Sequence, residues 1–587
     1  MELLKSEIQS LVETAVEGLG VDPSLVGKML QATRELDQGD LSLPCFPFAK
    51  SLGKAPADIA EAVREAMPEH EAISDVQAVN GYLNIRVSPI WLANRLLDGA
   101  TLGGENTQRR EVLIEHTSAN PNGPFHVGRA RNAILGDTLV RLHRLWGDEV
   151  TAEYYVDDMG KQVAVLAWAL ENMKADEVES LLSDRDPVNP KWEGKADHQR
   201  VRWYQAAQRR RKESEAATEI EEAIGSLVHA SEHGDEKVLD AFAQAYQPVL
   251  DGMLETLGRL GIHFDRFTKE SLFVTNGDVA KLMAELGRLD INGVADNGAQ
   301  YLDLGQRGLK GKTEFFYRRG DGSSLYATRD IAYHRWKWTQ CSELINVLGE
   351  DHKLQAQQVG LTLEELGERR PEVMFYSFIK LPEGKMSTRR GNVVFMDDLL
   401  EEAHAQAADV LRERRPGMNE AEMDAIAEAV GTSAVRFNIV SVSPEKGFTF
   451  RWEDALSFEA GSAPFIMYSH TRACSIRRKV LEQDAAFSEP FDAQSQADTE
   501  TPPGLVQLLR TLAVHNDRLG KVVREHRPNL FAEYLLHLAT AYNSFYRDCY
   551  IIENGTVNPF YFAISELART TLKAGMEGLG IVPLESM

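Results

Sequence analysis

The stretch EVLIEHTSANPNGPFHVGRARNAILGD, residues 111 to 137, changes character twice. Its first seven residues are rich in β-branched and apolar types, and a run of Ser, Asn, Pro and Gly then breaks any regular element. From Arg129 onward the apolar positions Ile134, Leu135, Leu139, Leu142 and Leu145 recur at helical spacing. A strand, a turn and a helix in this order form the opening unit of an α/β sheet. His126-Val127-Gly128-Arg129 stands where the turn becomes the helix. Gly128 removes a Cβ where another group must come close. The helix start presents free N–H groups and a partial positive charge, an anion site to which His126 and Arg129 add donors suited to a triphosphate. An isolated HxGx is also compatible with an ordinary turn histidine that is merely hydrogen-bonded.

Working outward, 587 residues exceed what one hydrophobic core supports, so several domains are expected. Residues 1–105 combine helical stretches such as PADIAEAVREAM (56–67) with GYLNIRVS (81–88), whose alternation suits a strand, and predict a small α+β domain. Residues 106–398 form the α/β unit, interrupted from about 163 to 265 by a charged helical insertion. Strand-like runs return at AQYLDL (299–304), TEFFYRR (313–319), ELINVLG (343–349) and VMFYSFIKL (373–381), and are expected to resume the sheet. Residues 399–587 are nearly all helical, broken by the polar, Pro-containing segment 487–504, which is expected to be a mobile loop.

Hydrophobic residues make up 43% of the chain and charged residues 26%, a globular composition. No window approaches eighteen consecutive apolar residues, and the acidic amphipathic start lacks signal-peptide features. A soluble, cytoplasmic protein without a membrane partner is expected. Cys45, Cys341, Cys474 and Cys549 form no CxxC pair and have no histidines at zinc spacing, so free thiols and no bound metal are expected. A net charge of −25 argues against a polyanionic partner. Only the local field at a contact surface matters, however, and basic clusters occur at 209–211, 412–415 and 477–479. Each is either a solvated helix face or a contact surface.

A second stretch, GKMSTRRGN (384–392), sets Lys385, Ser387, Thr388, Arg389 and Arg390 between two glycines. Such a cationic loop can close on phosphates and release them. The two stretches together, in this order, are much less easily accidental than either alone.

Together they resemble the two signatures of the class I aminoacyl-tRNA synthetases, His126 to Arg129 standing in the first and Lys385-Met386-Ser387-Thr388 in the second. YVDDMGKQ (155–162), DGSSLYATRDIAY (321–333) and the block from Ala434 to Ile476 narrow the resemblance to the arginyl-tRNA synthetase family. It covers nearly the whole chain, least clearly the charged insertion. The resemblance implies a Rossmann-type parallel-sheet catalytic domain with a helical insertion, an α+β amino-terminal domain that meets the D-loop of tRNA, and an all-α anticodon-binding bundle. It implies ATP with Mg²⁺, L-arginine and tRNA(Arg) as substrates, no zinc, and a monomer. His126, Gly128, Arg129, Lys385 and Ser387 would act at the transferring phosphate, and Gly349, Asp351, His352 and Met386 would complete the ATP site. Tyr326 and Asp330 would grip the guanidinium with Gln357 adding contacts, while Glu115, Ser118, Asn120 and Gln162 would hold the other end or frame the pocket. Tyr82, Asn84, Tyr468, His470, Arg472 and Met587 would touch tRNA.

Two departures from the family pattern matter. Arg129 stands where the first signature usually ends in histidine, and a guanidinium does not copy an imidazole. Thr388 stands where many relatives have lysine, and the place just before the first signature, lysine in some relatives, holds Asn122 and Gly123, so Lys385 is the expected phosphate-binding cation. Two other classes stay open at this point. A small-molecule nucleotidylyltransferase shares the first signature but gives no reason for the long helical carboxy-terminal region. A tRNA-binding paralogue without catalysis would explain Arg129.

Overall fold

The computed structural model describes residues 2–33, 38–99, 109–184, 188–213, 216–380, 394–456, 461–483 and 501–587. The second signature, with Lys385, Met386, Ser387 and Thr388, lies outside the described residues, as does most of the expected loop 487–504.

Four short strands near the amino terminus, β1 (Gln31–Ala32), β2 (Leu41–Pro44), β3 (Ile73–Val79) and β4 (Tyr82–Val87), make an antiparallel sheet in the order β1-β2-β4-β3. On β4 the alternation is clean: Leu83, Ile85 and Val87 are buried, and Tyr82, Asn84 and Arg86 face outward. Helices Glu2–Glu17 and Pro56–Ala66 contribute Ile8, Val12, Ile59 and Val63 to the core.

The central sheet contains β5 (Glu111–Glu115), β6 (Glu149–Val156), β7 (Arg266–Lys269), β11 (Glu343–Gly349) and β12 (Glu372–Tyr376), all parallel, in the order β12-β11-β5-β6-β7. From β5 the chain first builds outward through β6 and β7, then returns to add β11 and β12 on the opposite side. The reversal falls between β5 and β11, and open parallel sheets bind ligands at the carboxyl ends of the strands at such a switch point. The Val127–Trp146 helix follows β5 and is buried on nearly every side, which explains its weak amphipathic pattern.

The sequence expectation for the sheet needs two corrections. The strand after the insertion is β7, four residues with charged ends at the sheet edge, where packing demands little apolar character. AQYLDL and TEFFYRR do not join the central sheet. They supply β9 (Gln300–Asp303) and β10 (Glu314–Arg318), which with β8 (Asn292–Val294) form a separate antiparallel sheet in the order β10-β9-β8. Short links between these runs allow antiparallel pairing but not the long crossover that parallel strands need.

Between β6 and β7 the described residues are helical, with Lys161–Asn172, Ala196–Glu213, Ala217–Glu232 and Glu236–Arg259 packed around Trp168, Ile224, Phe242 and Tyr246. The Arg209–Arg211 cluster is used internally, on Asp184, Glu177 and Glu221. From Met396 onward helices dominate, and their core is continuous with that of the central sheet. Among the described residues no helix is long and apolar enough to cross a membrane.

Candidate active site

The loop after β5 carries unusual backbone. Thr117 and Ser118 both adopt positive φ, 70° and 40°, which is costly for a β-branched residue such as Thr117. Surrounding bonds hold the conformation. The Thr117 N–H donates to Asn132 Oδ1 at 2.7 Å, and Asn132 Nδ2 donates to the Val347 carbonyl of β11 at 3.0 Å. Ser118 Oγ accepts from the Tyr155 N–H and donates to Glu115, while Asn120 and Asn122 both donate to Gln162 Oε1.

The first signature follows on this pinned loop. His126 is the residue before the helix, and a Cβ on Gly128 would lie 3.0 Å from His126 Nδ1, so the glycine lets the imidazole fold over the helix start. Burial, reinforced by the Arg129 charge, lowers the His126 pKa to about 4. The ring is therefore neutral at pH 7 and acts as a hydrogen-bonding group, leaving the positive charge to Arg129.

The described chain that resumes at Val394, beyond the second signature, meets the first signature directly. The Val127 N–H donates to the Val394 carbonyl at 3.0 Å, and the Met396 N–H donates to the Phe125 carbonyl at 2.7 Å. His126 and Phe395 thus form an antiparallel bridge, so the chain leaving the second signature is stitched to the first. Before that segment, Ile379–Lys380 pairs with Phe448–Thr449.

Beside this junction a cavity of about 730 Å³ opens at the switch point. One group of lining residues comprises Arg129, Asn132, Gly349, Asp351, His352, Tyr376 and Phe378; a second comprises Glu115, Ser118, Asn120, Gln162, Tyr326 and Asp330. Tyr326 and Asp330 stand one turn apart on the Tyr326–Trp338 helix. Burial opposes charge on Asp330, but His334, Lys337 and Gln355 outweigh it and hold the carboxyl below its ordinary value. The Tyr326 ring opens on the cavity and is 47% exposed, yet crowding by the wall, with Asp330 and Glu270 nearby, pushes its phenol above the ordinary value.

Of the sequence candidates in the described residues, His126 and Gly128 sit at the helix start without lining the cavity. Gln357 is a correction: it is exposed and off the cavity, which Gln355 lines instead. On the Lys353–Glu365 helix, Gln355, Ala356 and Val359 share a face that His352 continues just before its start, and two residues further around turns Gln357 away. His470 is a second correction. Only 1% exposed, it bonds the Leu584 carbonyl at 2.9 Å and cannot meet RNA. Tyr468 and Arg472, one turn apart, face solvent instead, with the Arg472 guanidinium 4.8 Å from the ring centroids of both Tyr468 and Tyr546. Met587 is buried and its carbonyl receives Arg415. Tyr82 is 39% exposed and packs edge-on against the exposed Phe46, and Asn84 accepts from Ser42.

Sequence reading missed Asp157, Glu232, Arg319 and Arg329. Asp157 stands in a block already quoted, whereas Glu232 comes from the insertion, where no local pattern marks it. It ion-pairs with Arg319 at 2.9 Å and with Arg329, which is also held by Glu270.

Comparison with known proteins follows the same geometry. The model described as "tRNA synthetases class I (R), catalytic domain" matches residues 91–452, and a curated arginine--tRNA ligase of Methanocella arvoryzae is 41% identical over 93% of both chains. The chain belongs to the arginyl-tRNA synthetase family. For this arginyl-tRNA synthetase relative, the family's amino-terminal domain model matches 5–87 and the DALR anticodon binding domain model matches 466–587. The Archaeoglobus fulgidus arginine--tRNA ligase is 40% identical over 94% of this chain and 96% of its own. The solved Thermus thermophilus arginyl-tRNA synthetase superimposes with a TM-score of 0.75 at 25% identity, covering 99% of this chain and 100% of that one.

Proposed function

We propose that this chain attaches L-arginine to tRNA(Arg) through an arginyl-adenylate, consuming ATP and releasing AMP and pyrophosphate. The observation that supports this reading is the pairing of residues 394–396 with 125–127 at the start of the helix after β5, beside a cavity lined by Asp330 and Glu115. Activation joins a carboxylate to an α-phosphate, so the protein must mainly place two anions in line and stabilise charge on the phosphate. Arg129, the helix N-terminus and Lys385 supply positive potential, neutral His126 supplies a hydrogen bond, Ser387 and Met386 complete the loop's contact with the nucleotide, and Mg²⁺ enters with the ATP phosphates. Gly349, Asp351 and His352 border the adenosine.

Asp330 and Tyr326 receive the guanidinium, a planar fork matched to a carboxylate and an aromatic ring. Glu115, Ser118, Asn120 and Gln162 frame the amino-acid end. Tyr82 and Asn84 meet the D-loop, and Tyr468 and Arg472 the anticodon loop; a stacked base contributes about 1 to 3 kcal/mol. The functional units are 1–105, 106–398 and 399–587, and the protein works as a cytoplasmic monomer. Pyrophosphate exchange with arginine, measured with and without tRNA, tests the reading. Arginine-dependent exchange is expected, and binding of tRNA without any exchange would favour a non-catalytic paralogue.

A further inference from the structure

Behind the two carboxylates of the amino-acid pocket lies a network whose His334 and Asn346 reach the cavity wall and whose Lys337 does not. Asp330, His334 and Lys337 follow one another at i, i+4 and i+7 on the Tyr326–Trp338 helix and so share one face. Lys337 is fully buried. Its ammonium lies 2.6 Å from Glu115 Oε2, 3.1 Å from Asn346 Oδ1 and 3.2 Å from His334 Nε2, and 4.2 Å from the Tyr333 ring centroid.

These contacts determine hydrogen positions. An ammonium has three donors and no acceptor, so the Asn346 oxygen must face Lys337, which turns Asn346 Nδ2 toward His334 Nε2 at 2.7 Å. His334 Nε2 then faces two donors and must accept. The ring proton is on Nδ1, where it meets the Asp330 carbonyl at 2.8 Å and Asp330 Oδ1 at 3.1 Å. One lysine thereby holds Glu115 directly and orients Asp330 through the histidine it polarises. The backbone supports the arrangement, because Glu115 and Asn346 are register partners on the adjacent strands β5 and β11.

We infer that Lys337 and His334 are positioning residues that fix the separation and orientation of Glu115 and Asp330, and so set the pocket's preference for arginine over shorter or point-charge amino acids. This rests on the proposal that those two carboxylates receive the substrate. A guanidinium fork tolerates little rotation of its carboxylate partner, and an ammonium tolerates much more, so a loosened Asp330 loses selectivity along with affinity.

Histidine substitutions separate the two ring nitrogens. In His334→Asn the amide nitrogen falls near the place of Nδ1 and can still donate to Asp330, whereas in His334→Gln the amide falls near Nε2 and leaves Asp330 without its donor. Full-length enzyme with tRNA should show KM for arginine raised about tenfold or more in H334Q, with KM for ATP within about twofold, and largely restored in H334N. Equal arginine KM values in the two variants would overturn the inference. Asp330→Asn serves as the separating control. A raised KM in D330N with an unchanged KM in H334Q overturns the positioning role alone, while an unchanged KM in D330N overturns the pocket reading as well. Nitrogen-15 histidine spectra of the unmodified protein test the tautomer independently of any variant's folding: the expected His334 signal is protonated at Nδ1 and bare at Nε2, and the reverse tautomer would overturn the network.

Discussion

Asp330 is charged over the working pH range because its neighbours hold its carboxyl below the ordinary value, despite burial. Replacing it with Asn removes a charged acceptor and should raise KM for arginine about ten- to a hundredfold while leaving ATP binding nearly intact. An arginine KM equal to that of the parent protein would take Asp330 out of the pocket. His116 makes a different, pH-dependent prediction. Burial pushes its pKa down to about 4, so the folded chain refuses a proton that the unfolded chain accepts near 6.5. The sign follows: stability falls as pH drops from about 7 toward 4, and this one residue accounts for about 3 kcal/mol of the fall. In His116→Asn, whose amide can keep the contact with Thr117, urea midpoints should decline less steeply with acid; parallel slopes would show that His116 does not titrate this way.

Helices set the second scale. The Met396–Arg414 helix begins just after the second signature, and its Asp397 is seized by the insertion: Lys195 at 2.8 Å, His198 at 2.8 Å and Thr256 at 2.9 Å. Asp197, His198 and Asp397 lie close enough to suggest a metal site, but the Lys195 ammonium already sits among them. Asp397→Ala leaves this buried ammonium only one carboxylate, the more distant Asp197 at 3.4 Å, removes an acceptor of His198 and Thr256, and should cost about 3 kcal/mol in a denaturant titration. A loss below about 0.5 kcal/mol would mean that Lys195 reaches water. If Lys385 neutralises the leaving pyrophosphate mainly in the transition state, Lys385→Ala should lower the activation rate about a hundredfold with a smaller change in ATP affinity. A variant that loses affinity alone would make Lys385 a ground-state anchor.

Over the whole molecule, Arg436 ties the carboxy-terminal helices to the catalytic sheet. Fully buried, it reaches Asp137 at 2.6 Å on the helix after β5, the Leu260 carbonyl at the end of the insertion at 2.8 Å and the Leu579 carbonyl at 3.2 Å. The helix that starts at the first signature is therefore gripped by the bundle proposed to read the anticodon. If tRNA raises activation a hundredfold, the coupling is about 2.7 kcal/mol. Arg436→Met should lower that stimulation and destabilise the fold by about 3 kcal/mol, Asp137 keeping Arg141 as a partner. Full tRNA stimulation in a folded R436M protein would show that the coupling runs elsewhere.

Local pattern alone settled the strand-turn-helix at 111–146, the helical insertion and the helical carboxy-terminal region, because each is written in the spacing of neighbouring residues. A spacing of four likewise put Tyr326 and Asp330 on one helix face, whereas Tyr468 and Arg472 came only from the family resemblance. Where contacts join distant segments, pattern was silent or misleading. Gln355 rather than Gln357 faces the cavity, and His470 turns inward, because the rotation of a helix about its axis is decided by what packs against it. AQYLDL and TEFFYRR read as strands in either sheet, and only connection length and partner edges assigned them to the separate one. Lys337 reads in the sequence as an ordinary surface lysine near a helix end. Folding places it in the interior between Glu115, Asn346 and His334, where a charge can stay only if every donor has an acceptor, and those acceptors come from three elements brought together by the tertiary structure.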